Sequence, residues 1–128
     1  MSESTLPSMR VDGQVALVTG AGRGIGRGCA LALAEAGAEV IAMSRTEAEL
    51  KEVVAEIQDA GGTATPVVCD VSDGAVVRER ISEIQKLDIL VNNAGILRAS
   101  SLLELSEEDL DAMLQINCRG AVLVAQAA

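Results

Sequence analysis

Eight residues, Thr19-Gly20-Ala21-Gly22-Arg23-Gly24-Ile25-Gly26, restrict the possible folds of this chain more than any other segment. They follow an apolar run, Val15 to Thr19, and lead into an Ala- and Leu-rich stretch over residues 24–36 that reads as a helix. Gly37 stands where a helix of that length stops. A strand that turns directly into a helix needs glycines for the tight reversal and for close approach of backbone N–H groups to a ligand. The helix N-terminus points at the same spot, so donors and dipole together make an anion site suited to a pyrophosphate. Four glycines within Gly20 to Gly26 are more than strand–helix packing alone requires. Two rival loops fail on spacing. A P-loop needs a lysine, and none occurs in residues 1–50, while Gly-x-Gly-x-x-Gly starts at neither Gly20 nor Gly22.

The pattern continues as strand and helix in alternation. Residues 39–43 form a second strand, and residues 46–60 a second helix with Leu50, Val53, Val54 and Ile57 on one stripe. Thr46 and Glu49 have capping-box spacing, and Gly61-Gly62 ends that helix. Residues 64–69 make a third strand, which Pro66 assigns to an edge or an early strand position. Ser72 or Asp73 opens a third helix carrying Val76, Val77, Ile81 and Ile84, and residues 88–91 make a fourth strand. Ser106 to Asp109 form another capping box, opening a helix that runs to the last residue. Its apolar positions include Leu110, Met113, Leu114, Ala121, Val122 and Val124, on more than one side. Alternation at this spacing means βαβ units. The expected fold class is therefore α/β: a Rossmann-type, doubly wound parallel sheet in the order 3-2-1-4, cut short after the fourth strand and its helix. Residues 1–10 are expected to be a flexible arm, and residues 11–128 an incomplete dinucleotide-binding domain.

Composition narrows both core and chemistry. Phe, Tyr, Trp and His are all absent, so Ala, Val, Leu and Ile must fill the core. The commonest general acid–base side chain is therefore missing, and so is tyrosine. A net charge of −9 argues against nucleic acid and anionic membranes as partners. Cys29, Cys69 and Cys118 match no zinc or redox spacing and read as buried, reduced thiols, which suits a cytoplasmic protein. No metal site is expected. No apolar run is long enough to span a membrane, and the first ten residues lack the apolar core of a signal peptide.

Dinucleotide sites that hold the ribose of NAD use an acidic residue about 20 positions beyond the glycine turn. Here the second strand ends Met43-Ser44-Arg45, without a carboxylate. Arg45 can instead grip a 2′-phosphate by charge-assisted hydrogen bonds, with Ser44 as a small donor and Arg23 close to the same end. NADP (NADPH) is therefore the expected cofactor.

Four ordered segments between residues 13 and 120 resemble the short-chain dehydrogenases/reductases. Thr19 to Gly26 is similar to their cofactor motif, Asn92-Asn93-Ala94-Gly95 to their NNAG segment, Asp70-Val71 to their adenine-contacting pair, and Asn117 to their helix-borne asparagine. The nearest resemblance is to 3-oxoacyl-carrier-protein reductases and small carbonyl or sugar reductases. It implies cofactor contacts from Thr19, Gly20, Gly22, Arg23, Gly24, Ile25, Gly26, Ser44, Arg45, Asp70, Val71, Asn93, Ala94 and Gly95. It implies that Asn117 is catalytic, anchoring a water in a proton relay. It further implies a small carbonyl or alcohol substrate in the complete protein and a homo-oligomer formed through the last helix. The family's acid is a tyrosine followed four residues later by a lysine, with a serine on the substrate oxygen. None of that set is present, and the only lysines, Lys51 and Lys86, are expected on the second and third helices. The chain is thus expected to be the cofactor half, inactive alone. The alternative is a non-catalytic dinucleotide-binding module or an inactive truncated product. Residues 97–103 are expected to form one wall of a substrate pocket.

Overall fold

The computed structural model describes residues 7–128. Its strands are β1 (Val15–Thr19), β2 (Glu39–Ser44), β3 (Thr63–Val68) and β4 (Ile89–Val91). They form one parallel sheet in the order β3-β2-β1-β4, as the alternating pattern predicts. Between them lie α1 (Gly24–Glu35), α2 (Glu47–Asp59) and α3 (Gly74–Ser82). After β4 the chain enters α4 (Glu107–Met113), a π-helical stretch (Leu114–Gly120) and α5 (Ala121–Ala127).

Alternation along each strand sends side chains to opposite faces of the sheet. Ala16, Val18, Val40 and Ala42 pack under α1 and α2 with Ala30, Leu50, Val53 and Ile57. Leu17, Ile41 and Met43 face the other way, against Val77 and Ile81 of α3 and Val124 of α5. Many of the buried residues on the first face are alanines, which lets two helices lie close to the sheet without any aromatic filler. Pro66 pairs with Ala42 in β3, an edge strand, where the missing N–H costs no ladder bond.

β4 is short, and its start is stapled to β1. Asp88 N donates to the Val15 carbonyl at 2.9 Å, while Asp88 Oδ2 accepts from Val15 N at 2.8 Å. Lys86 Nζ lies 3.3 Å from the same carboxylate and donates to Gly13 O at 2.8 Å. Lys86 therefore sits in the loop before β4 and not on the third helix, because α3 ends at Ser82. Chiefly through the Val15 amide bond, and also through Lys86, the Asp88 carboxyl is held below its ordinary range. A depressed folded value makes this contribution complete above the unfolded range and lost as pH falls through the folded value. Asp88→Asn should consequently lower the urea midpoint at neutral pH. The gap to the parent should close once the medium is acid enough to protonate Asp88. An equal deficit at both pH values would show that the charge plays no part.

Two helix starts differ from expectation. Thr46 occupies the N-cap of α2, but its side chain caps nothing, and the capping box with Glu49 does not form. Ser44 Oγ takes the Thr46 amide instead, at 3.2 Å. Asp73, not Ser72, caps α3 by accepting from Val76 N, and Ser106 caps α4 by accepting from Asp109 N.

The last helix is not one regular element. Its centre is π-helical, a geometry that inserts a residue and often marks a functional segment. Two contacts accompany it. Asn117 turns its amide onto Ile96, and Gly120 lies so close to Val71 that a Cβ would stand 2.8 Å from Val71 Cγ2. Leu110, Leu114 and Val122 remain exposed, so only part of the expected apolar pattern meets this chain's own core. Of the cysteines, Cys69 is buried, Cys29 partly so and Cys118 exposed, which corrects the expectation of three buried thiols. Burial pushes the Cys69 thiol above its ordinary value.

Candidate functional site

The carboxyl ends of all four strands open into one cleft of about 620 Å³. It runs from Arg45 and Thr46 beyond β2 to Gly95 and Ile96 beyond β4. Its floor is the glycine turn. Gly20 and Gly24 have φ of 63° and 58°, a left-handed conformation that glycine adopts without strain. Gly26 lies in α1 directly over the Gly20 carbonyl, where an added Cβ would overlap the oxygen and stand 2.7 Å from the carbon. α1 begins at the extended N-cap Arg23 with no side-chain cap, so its first amides are left to an external acceptor. That combination fits the anionic bridge of a dinucleotide.

Thr19 lies beneath the cleft and is wholly buried. Its hydroxyl accepts from the backbone N–H groups of Asn93 and Ala94, both at 2.9 Å. Asn93 Nδ2 returns to Thr19 O at 3.1 Å. The motif threonine therefore fixes the segment after β4 to the glycine turn and does not itself line the cleft. Gly26 likewise shapes the floor from below. Gly20, Gly22, Arg23, Gly24 and Ile25 all line the cleft, as do Ser44, Arg45, Asp70, Val71, Asn93, Ala94 and Gly95.

At the far side, Asp70 Oδ1 accepts from Ser72 N at 2.9 Å and Ser72 Oγ at 2.8 Å, an Asx turn that holds the carboxylate at the mouth of β3. Arg119 secures the same loop by donating to Ser72 O at 2.8 Å. Asn117 stands outside the cleft wall and clamps it: Oδ1 accepts from Ile96 N and Nδ2 donates to Ile96 O, each at 2.8 Å. Asn92 adds a second tie by donating to Ala121 O at 2.8 Å. These bonds come from within the π-helical stretch and from the residue just after it, and they hold residues 92–96 between helix and glycine turn.

The stretch 97–103, expected beside a substrate, lies outside this cleft. None of its residues lines the cleft, and Leu97, Leu102 and Leu103 all point to the outside. Sequence reasoning missed Glu49, Ile96 and Ile116, which do line it. Among the described residues no cluster of potential metal ligands occurs, and no helix is long and apolar enough to cross a membrane.

The family model for short chain dehydrogenase matches residues 14–128. The chain belongs to the short-chain dehydrogenase family. A short-chain type dehydrogenase/reductase from Mycobacterium marinum superposes with a TM-score of 0.90 at 38% identity, over 94% of this chain and 51% of that one. The 3-oxoacyl-[acyl-carrier-protein] reductase of Thermotoga maritima is 38% identical over 122 residues, 92% of this chain and 50% of that protein. A short chain dehydrogenase from Burkholderia cenocepacia, solved in complex with NADP, gives a TM-score of 0.87 at 41% identity, over 93% of this chain and 51% of that one. This short-chain dehydrogenase chain thus spans about half the length of the relatives it matches.

Proposed function

We propose that the cleft binds NADP(H), and that these residues are the cofactor-holding part of an oxidoreductase interconverting a small carbonyl compound and its alcohol. The observation that carries the cofactor reading is the ribose end of the cleft. Arg23 and Arg45 both line it, both are exposed, and neither is in an ion pair among the described residues. Two unpaired guanidinium groups beside Ser44, with no acid ending β2, suit a 2′-phosphate. Relatives that hold NADP in their own structures support the same reading.

When bound, the nicotinamide would supply or accept a hydride. The residues of this chain bind, orient and enclose. The turn from Gly20 to Gly26 would take the pyrophosphate, Asp70 and Val71 the adenine, and Asn93 to Gly95 the nicotinamide-side ribose. One donor and one acceptor of the Asn117 amide are spent on Ile96, which leaves one of each for the water expected there. The 128 residues contain no tyrosine and no histidine to give a carbonyl its proton. Exposed Leu110, Leu114 and Val122 support a homo-oligomer built through the last helix, and three unpaired thiols suit the cytoplasm.

Titration of NADPH and NADH by nicotinamide fluorescence tests the cofactor reading without interference, since the protein has no tryptophan or tyrosine. NADPH should bind more tightly, and Arg45→Ala should weaken NADPH about tenfold or more, the loss of one charge-assisted contact, with NADH little changed. Equal affinities in the parent, or an unchanged preference in Arg45→Ala, would overturn it.

A further inference from the structure

α2 brings into the cleft a carboxylate that no strand end supplies. Glu49 is the third residue of α2. A glutamate there ordinarily reaches back to the N-cap amide, but Ser44 Oγ already accepts from Thr46 N. Glu49 instead lies against the glycine turn. Its Oε2 is 2.9 Å, and its Cβ 3.0 Å, from the point where a Cβ on Gly22 would stand, and Ser44 Oγ approaches the same point at 3.3 Å. The residue is half-buried and lines the cleft. Among the described residues no cation comes within ion-pair distance of it, and Lys51, two residues on, pairs with Glu47. The ribose end of the cleft therefore contains two unpaired guanidinium groups and one unpaired carboxylate.

We propose that Glu49 is a specificity-determining residue, whose carboxylate beside Gly22 accepts from the ribose 2′-hydroxyl of a non-phosphorylated dinucleotide and opposes a 2′-phosphate. This rests on the dinucleotide reading above. The preference for NADPH set by Arg23 and Arg45 is then held to a modest ratio, and NADH enters the same cleft. A carboxylate kept only to complement the α2 dipole would affect stability alone. One that faces the ribose acts with opposite sign on the two cofactors, because it attracts a hydroxyl donor and repels a dianion.

The test is parallel titration of the 128-residue chain and its Glu49→Gln, Glu49→Ala and Glu49→Asp variants with NADPH and NADH, with thermal melts as the check on folding. In Glu49→Gln and Glu49→Ala, NADPH should tighten about two- to fivefold, the scale of a solvent-screened charge interaction, and NADH should weaken by a similar factor. The ratio should therefore rise about tenfold. Glu49→Asp keeps an acid in the first turn of α2 but withdraws it from Gly22, so the ratio should move the same way by less, even if the neutral variants fold poorly. An unchanged ratio in folded variants overturns the role of Glu49 while leaving the NADP reading intact. A parent chain that binds neither dinucleotide overturns both.

Discussion

Gly26→Ala should unfold or severely weaken this domain and abolish dinucleotide binding, whereas Gly28→Ala, two residues along the same helix, should stabilise it. Both glycines lie in α1, where alanine is intrinsically better than glycine by about 1 kcal/mol. Gly28 has nothing within 4 Å of an added Cβ, so the intrinsic gain stands. At Gly26 the new methyl would overlap the Gly20 carbonyl oxygen and come within 2.5 Å of Asn93 Nδ2. A backbone carbonyl has no rotamer to escape through, so helix and turn must separate. Overpacking costs about 1–3 kcal/mol where side chains can shift, and a backbone clash belongs at or above the top of that range. The melting temperature should therefore fall by about 10 °C or more. A Gly26→Ala variant that melts with the parent and still binds NADPH would show that the helix is not clamped to the turn.

Thr19→Val should have the next largest effect, and Thr19→Ser should restore most of what it loses. The Thr19 hydroxyl is the acceptor for two neighbouring backbone N–H groups, those of Asn93 and Ala94, each at 2.9 Å. Valine keeps the shape and removes that acceptor. Leaving two part-buried donors unsatisfied costs about 2–5 kcal/mol in all. Serine retains the oxygen and forfeits only a methyl group, about 1 kcal/mol. Denaturant midpoints of the three proteins would separate these outcomes. The segment 93–95 should also loosen, so NADPH should bind more weakly to Thr19→Val than its stability alone would require. Equal stability in the valine and threonine proteins would mean that the hydroxyl does not hold the two loops together.

Both predictions rest on how the glycine turn meets its neighbours, and sequence and structure contributed differently there. Strand placement was legible because runs such as Val15 to Thr19 are short, apolar and followed at once by glycine. Strand order followed from the doubly wound arrangement of such parallel sheets, and of the two positions Pro66 allowed, edge or early in the strand, β3 is an edge. The cofactor-type residues at the strand ends were legible too, since a parallel sheet gathers the carboxyl ends of its strands on one side. The errors have a common origin. Thr46 and Glu49 have capping-box spacing, yet Ser44 reached the amide first and Glu49 turned toward Gly22, a residue distant in sequence. Helical periodicity across residues 106–128 gave no sign of the π-helical stretch, because its contacts are made with Ile96 and Val71 on other elements. Lys86 was misplaced because α3 stops at Ser82, four residues before it.

By itself the sequence determined the α/β alternation, the order of the sheet, the glycine turn and the absence of any tyrosine or histidine. Local spacing and residue type are enough for the alternation, the turn and the missing residue types, and the doubly wound rule for parallel sheets supplies the order. Only the tertiary structure decided that Thr19 supports the cleft from below, that Asn117 clamps its wall, and that a carboxylate from α2 stands beside Gly22 in the cleft the two arginines line. The physical reason is that those roles depend on which groups meet across the fold. A side chain's hydrogen-bond partner is set by distance in space, and here the partners lie 21 to 75 residues apart along the chain.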